Sequence, residues 1–298
     1  MKTILTMFAT VGLLVASTTV SLAAPTEKWA FSAEQRNIAG SFVYSLHYLD
    51  SPQLLSKVSL PQNQALTLFG LTYHLPRNRF IRGQFGQTGL GNQGRGDDSD
   101  WTKPGQDVLT DYGEMNAYGR QKQLALDFGK VLAESRRSST RVLFGWSQQK
   151  TANELRDVVY HLSEGKDIGA VSQPDDGSYL NGKFSGFHVG LENTFRMNSR
   201  LAMQTGLSVA YLDAKTYGHW SNHTPAWDWV DAGNTFGYNL NAALQYNIRK
   251  NLSAELGYFN QFAKATGCDE VLNGSFLPGM VDLKYAQHGM RFGLQYSF

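Results

Sequence analysis

The last nine residues, MRFGLQYSF, put apolar side chains at every second position: Met290, Phe292, Leu294, Tyr296 and Phe298. Between them stand Arg291, Gly293, Gln295 and Ser297. Successive side chains of a strand point to opposite faces, so a period of two gives one wholly apolar face. The pattern recurs. Phe236, Tyr238, Leu240, Ala242, Leu244, Tyr246 and Ile248 oppose Asn239, Asn241, Ala243, Gln245 and Asn247. Leu201, Met203, Thr205, Leu207, Val209 and Tyr211 oppose Gln204, Gly206, Ser208 and Ala210. Near the start, Phe42, Tyr44, Leu46 and Tyr48 alternate with Ser41, Val43, Ser45 and His47. A small polar face backing an apolar one predicts strands with water inside and lipid outside.

Short and long connections alternate. Short basic turns fall at 77–78, 134–139, 198–199 and 249–251, and long polar segments at 95–113, 161–178, 221–234 and 267–280, with a shorter one near 50–56. Five outer loops and four short turns predict about ten antiparallel strands, both termini on the short-turn side. The expected fold is therefore all-β: a single closed antiparallel transmembrane barrel. Composition agrees, with 30 glycines and only 17% charged residues, where ordinary globular chains carry about 25%.

The chain opens MKTILTMFATVGLLVASTTVSLAAPT, a basic start, a short apolar run and a small-residue end. This order predicts a signal peptide over 1–23 and a barrel domain over 24–298, exported to the bacterial outer membrane. The single cysteine, Cys268, excludes an internal disulfide.

Charge is divided along the chain. Across the four longest loops thirteen acidic residues face three basic ones, while Arg77, Arg136, Arg137, Arg200, Arg249 and Lys250 mark the short turns. An acidic outer mouth concentrates cationic ligands, peptides or host proteins among them. A net charge of +2 gives no basic patch for nucleic acid.

The stretch GDDSDWTKPG, residues 96–105, holds the most pointed candidates. Asp98 and Asp100 are two apart and share a face if the strand persists. Such a pair holds and activates water, binds a hard cation, or simply hydrates a loop tip. The spacing of an EF-hand loop is not matched, and no nucleophile elbow or phosphate loop occurs. His161, His219 and His223 lack metal-site spacing, so no metal or other cofactor is expected from the residues themselves. Trp101, Trp220, Trp227 and Trp229 fall at the outer rim, where aromatic belts form.

From Leu54 to Asp111 the chain resembles the omptins, outer-membrane barrels of about ten strands. The likeness is carried in order by LLSKVSL, ALTLFGLTYHL, RFIRGQFGQTGLG, the rim Asp98-Ser99-Asp100-Trp101, TDYGEM and QKQLALDFG. It implies an endopeptidase cleaving beside basic residues, with an acidic pair facing an Asp–His couple across the mouth and a water between. Asp98 and Asp100 take the acidic-pair role, and His219 is the natural counterpart of the histidine. Tyr217 stands where the couple needs its Asp, and Asp213, six residues before His219, is the nearest upstream carboxylate. Gly113 stands where the family offers a serine. Asp97, Trp101, Asp111, Glu114 and Tyr217 are the candidate substrate contacts. The resemblance also implies lipopolysaccharide as partner and requirement, and recognition of Phe298 by the barrel-assembly machinery. The chain resembles more closely the omptin-like barrels grouped as Protochlamydia outer membrane proteins, which keep the barrel and the acidic rim. Three functions remain open: a mouth that binds cationic peptides with a partly retained protease site, an active endopeptidase, or a small porin or adhesin.

Overall fold

The computed structural model describes residues 28–105, 107–174, 177–221 and 226–298. The expected leader, Asp175, Asp176 and His223 lie outside the described residues. Among the described residues thirteen strands are present and no helix: β1 (Trp29–His47), β2 (Leu54–Pro61), β3 (Gln64–Leu75), β4 (Arg79–Thr88), β5 (Gly91–Asp100), β6 (Asp111–Glu134), β7 (Ser138–Ser163), β8 (Lys166–Ser172), β9 (Tyr179–Arg196), β10 (Leu201–Trp220), β11 (Trp227–Arg249), β12 (Leu252–Leu272) and β13 (Ser275–Ser297).

They fill ten wall positions. β1 pairs with β3 along its lower half and with β2 along its upper half, while β6 pairs with β4 below and β5 above. Thus β2–β3 is one wall strand interrupted after Pro61, and β4–β5 is another interrupted at Gly89-Leu90. The ring β1–β3–β4–β6–β7–β9–β10–β11–β12–β13 closes on itself. The end strands are joined further by reciprocal backbone bonds between Trp29 and Phe298. Closure matters physically, because lipid offers no partner to an unpaired strand edge. A bulge in β5 at Asn92/Gly94 is seated by Gly94, whose φ of 126° suits glycine and whose Cβ would lie 2.8 Å from the Pro61 ring.

The outward face is the apolar one wherever lipid is met. Met203, Leu207, Val209 and Tyr211 of β10, Phe236 to Ile248 of β11 at alternate positions, and Met290 to Tyr296 of β13 are all exposed to the outside. Inside, the lower lumen is ionic. Arg82 bridges Asp127 and Glu192 at 2.9 and 2.8 Å, His188 meets Asp127 at 2.8 Å, and Arg291 meets Glu34 at 2.8 Å. These groups line a polar cavity of about 320 Å³. Above it lies a layer of buried amides, in which Gln93 donates to Asn153 and Gln121 to Gln62.

Two expectations are corrected. Phe42, Tyr44 and Leu46 face the lumen, not lipid, because they share parity with Ser32, Glu34 and Arg36 on an unbroken stretch of β1. With Val58, Leu60, Met115, Leu155, Phe184, Trp220, Trp229, Leu283 and Tyr285, the first two form an apolar plug in the upper lumen, with Leu46 packed against it. The inner face is therefore polar only in its lower half. Trp220 and Trp229 belong to this plug and not to an interfacial belt. Second, most of the supposed loops are wall. β5 runs to Asp100, β11 begins at Trp227, and β12 and β13 meet at a two-residue turn, Asn273-Gly274, both at positive φ. That is the I′ geometry matching the strand twist. The wall accordingly extends well beyond the lipid-facing apolar band.

Candidate site at the extracellular mouth

Asp98 and Asp100 stand on β5, not on a loop tip. In register, Tyr44 of β1, Val58 of β2, Asp98 and Gly113 of β6 make one rung, and Asp100 lies between Ser56 and Asp111 on the next rung of the same face. Tyr44 and Val58 belong to the plug, so this is the inner face. Asp98, Asp100 and Asp111 therefore converge on the lumen rim. Burial first, then the charges of Asp100, Asp97 and Asp111, pushes the Asp98 carboxyl well above the ordinary range. Asp100 is raised chiefly by burial, against a lowering hydrogen bond from Ser56. Trp101 is fixed at the strand end, its N–H donating to Leu55 O at 2.8 Å and its carbonyl accepting from Tyr48 Oη at 2.6 Å.

Asp97 and Glu114 pair across β5 and β6 on the opposite, outer face. There Glu114 meets Arg95 at 2.7 Å and His161 at 3.3 Å, and accepts from Tyr112 at 3.3 Å. These two candidate contacts thus turn away from the lumen.

The other half of the expected couple is not brought to the rim carboxylates. β10 pairs without a register break from Leu201 to Trp220, so parity can be followed along it. Asp213, Tyr217 and His219 fall on the face of Met203, Leu207, Val209 and Tyr211, outside the barrel. Leu212, Ala214, Thr216, Gly218 and Trp220 face in, and a Cβ on Gly218 would lie 2.0 Å from the Trp229 ring. On that outer face His219 does have a carboxylate: its Nδ1 lies 2.7 Å from Asp228 Oδ1, and its ring stacks on Tyr179 at 5.6 Å. Of the described rim histidines, His47, His161 and His219 each turn to a carboxylate of that outer face, Asp282, Glu114 and Asp228 respectively. Among the described residues, no group of three or more His, Cys, Asp or Glu is arranged to hold a metal ion.

A second acidic group lies deeper and was not singled out in the sequence. Asp231 and Glu270, opposite one another on β11 and β12, are 0% and 1% exposed. Thr216 donates to Asp231 Oδ2, and Tyr44 Oη donates to Glu270 Oε2 at 2.5 Å across the lumen. In the sequence both residues read as ordinary loop acids; only the register pairs them.

Barrel, outward apolar band and acidic rim together define an outer-membrane β-barrel with an acidic mouth. The chain belongs to the omptin family, whose sequence profile matches residues 43–298. Among solved structures it is similar to the outer membrane protease OmpT of Escherichia coli, at 14% identity and a TM-score of 0.80, covering 94% of this chain and all of that one. The translocator domain of the autotransporter NalP from Neisseria meningitidis follows at 11% identity and a TM-score of 0.40, covering 97% of this chain and 93% of that one. No curated protein matches the chain in sequence. The protein is thus an omptin-type protein of the outer membrane.

Proposed function

We propose that this omptin-type barrel binds cationic peptides or protein segments at its acidic mouth and does not hydrolyse them by the omptin route. One observation carries the reading: Asp98, Asp100 and Asp111 face the lumen rim, whereas His219 and its partner Asp228 sit on the outer wall. Among the described residues no imidazole stands opposite the rim pair to take a proton from a water held there, and geometry precedes pKa in choosing a general base. The plugged lumen argues against a porin. Export through the 1–23 leader and recognition of Phe298 by the assembly machinery belong to the same reading. An arginine-rich peptide offered to the protein in lipopolysaccharide-containing vesicles should bind with an affinity that falls steeply with salt, and should be recovered intact. His219→Ala should leave binding unchanged. Cleavage lost in both Asp98→Ala and His219→Ala would instead establish the endopeptidase.

Lipopolysaccharide is the lipid partner this reading takes. Lys122, Lys150, Lys183 and Lys215 pair directly across β6, β7, β9 and β10 on the outer face, just above the apolar band. Like charges directly opposite one another destabilise a sheet, so such a ladder calls for anions, and lipid phosphates lie at that height. Each lysine near an anionic membrane surface contributes about 1 kcal/mol. Lys150→Gln and Lys183→Gln should each lower co-purifying lipopolysaccharide about fivefold; unchanged lipid content would count against the ladder.

A further inference from the structure

We propose that the Asp231–Glu270 pair is a one-proton latch: the shared proton ties β1 to the β11–β12 wall through Tyr44 and keeps the plug shut, and its loss opens the outer end of the lumen. The latch lies in the plug, apart from peptide binding at the rim.

The register sets the two carboxyls against each other, each with one oxygen engaged elsewhere. Asp231 Oδ2 is taken by Thr216 and Glu270 Oε2 by Tyr44. Asp231 Oδ1 and Glu270 Oε1 are buried without a hydrogen-bond partner, on residues that stand directly opposite one another across β11 and β12. Two carboxylates have only acceptors, so a bond between them needs one proton. The chain Thr216–Asp231–Glu270–Tyr44 then runs from β10 across β11 and β12 to β1. Tyr44 is also seated against Trp229, ring centroids 5.9 Å apart, so the chain ends in the plug.

Among the described residues no cation acts on the pair to replace the proton. The groups facing it are Tyr44 from β1 and Cys268 beside Glu270 on β12, with Asp98 of β5 reaching Tyr44 from the rim; β10 contributes Thr216 and β13 Leu277, the register partner of Glu270. Asp231 lies five residues beyond Phe236, where the lipid-facing run of β11 ends, so the latch is outside the membrane. Burial, opposed by the Thr216 hydrogen bond and reinforced by Glu270, raises the Asp231 carboxyl to about 8. A folded value above the unfolded one means that the folded state binds the extra proton. The pair's stabilisation is therefore complete in acid and lost as pH rises from the ordinary carboxylate range through about 8. The wall around it is built to give way locally. Register shifts flank the pair at Ala232/Thr235, Ala265/Cys268 and Cys268/Glu270, and Gly267 and Gly279 sit at positive φ. The continuous ladders below Thr235 and Ala265 hold the barrel while this segment moves.

Cys268, 1% exposed, is a native reporter as the chain's single cysteine. Its modification rate by a neutral thiol reagent would be followed from pH 6 to 10 on the folded barrel in detergent. Thiolate formation alone raises the rate tenfold per pH unit, because the thiol is pushed up to about 12. The latch predicts a steeper rise above pH 7 in the wild type, with a wild-type to Asp231→Asn rate ratio growing at least about tenfold between pH 7 and 9. Glu270→Gln is the second variant, and heat-modifiable migration verifies folding of each. A slope of one throughout in the wild type, or the same excess in both variants, would overturn the latch.

Discussion

Replacing Asp98, Asp100 and Asp111 together by Asn is expected to weaken binding of an arginine-rich peptide roughly 100-fold at moderate salt, about 2.7 kcal/mol. The three side chains converge on one inner face, and removing them leaves a guanidinium with neutral amide acceptors in place of charge-assisted ones. The wild type should also lose affinity as pH falls from neutral, because burial and the neighbouring charges make Asp98 take up a proton well above the ordinary carboxylate range. The triple variant should show a flatter profile. The stability effect runs the other way. A raised folded value means the site costs stability as pH rises through that window, so the Asn variant should melt higher at pH 7 while binding less. Titration calorimetry over pH 5–8, with thermal melts on the same samples, checks both signs. Equal affinity in wild type and variant would remove the mouth from the mechanism.

Phe42→Ala is expected to cost about 3–5 kcal/mol, the largest effect of a single side chain here. Phe42 is fully buried in the plug, edge-on to Phe184 with centroids 6.3 Å apart. Deleting it leaves a cavity between walls that backbone hydrogen bonds prevent from collapsing. The loss should appear as a drop of about 10 °C in the temperature at which the compact gel species disappears. Phe236→Ala is the matched control. Phe236 is 63% exposed on the outer face, where lipid fills the space of a removed ring, so its loss should be a small fraction of that of Phe42. Equal losses would mean that Phe42 faces lipid, as its alternating stretch suggests when the sequence is read alone.

The contrast between these two phenylalanines marks where sequence reasoning stopped. Alternation identifies two faces but not which is outside. For β10, β11 and β13 the small polar opposite face decided it. For β1 the opposite face, Ser41, Val43, Ser45, is equally small, yet this stretch stands above the lipid, where the outside meets water and the lumen can be packed dry. Loop boundaries failed for a related reason. Polar composition beyond the apolar band reads as loop, but a wall rising into water can be polar outside and still fully paired. Asn273-Gly274 was the legible signal, a dipeptide that makes I′ hairpins, inside a segment read as one long loop.

The sequence alone determined the all-β class, the ten wall positions, the lipid-facing residues of the C-terminal half and the shared face of Asp98 and Asp100, since each follows from a period of two and local turn chemistry. Only the tertiary structure decided that His219 and Asp228 look outward, that Tyr44 reaches across to Glu270, and that Asp231 lies against it. Parity must be carried along an unbroken strand to a residue of known side, and contacts across a lumen join positions more than 200 apart in the chain, which no local pattern encodes.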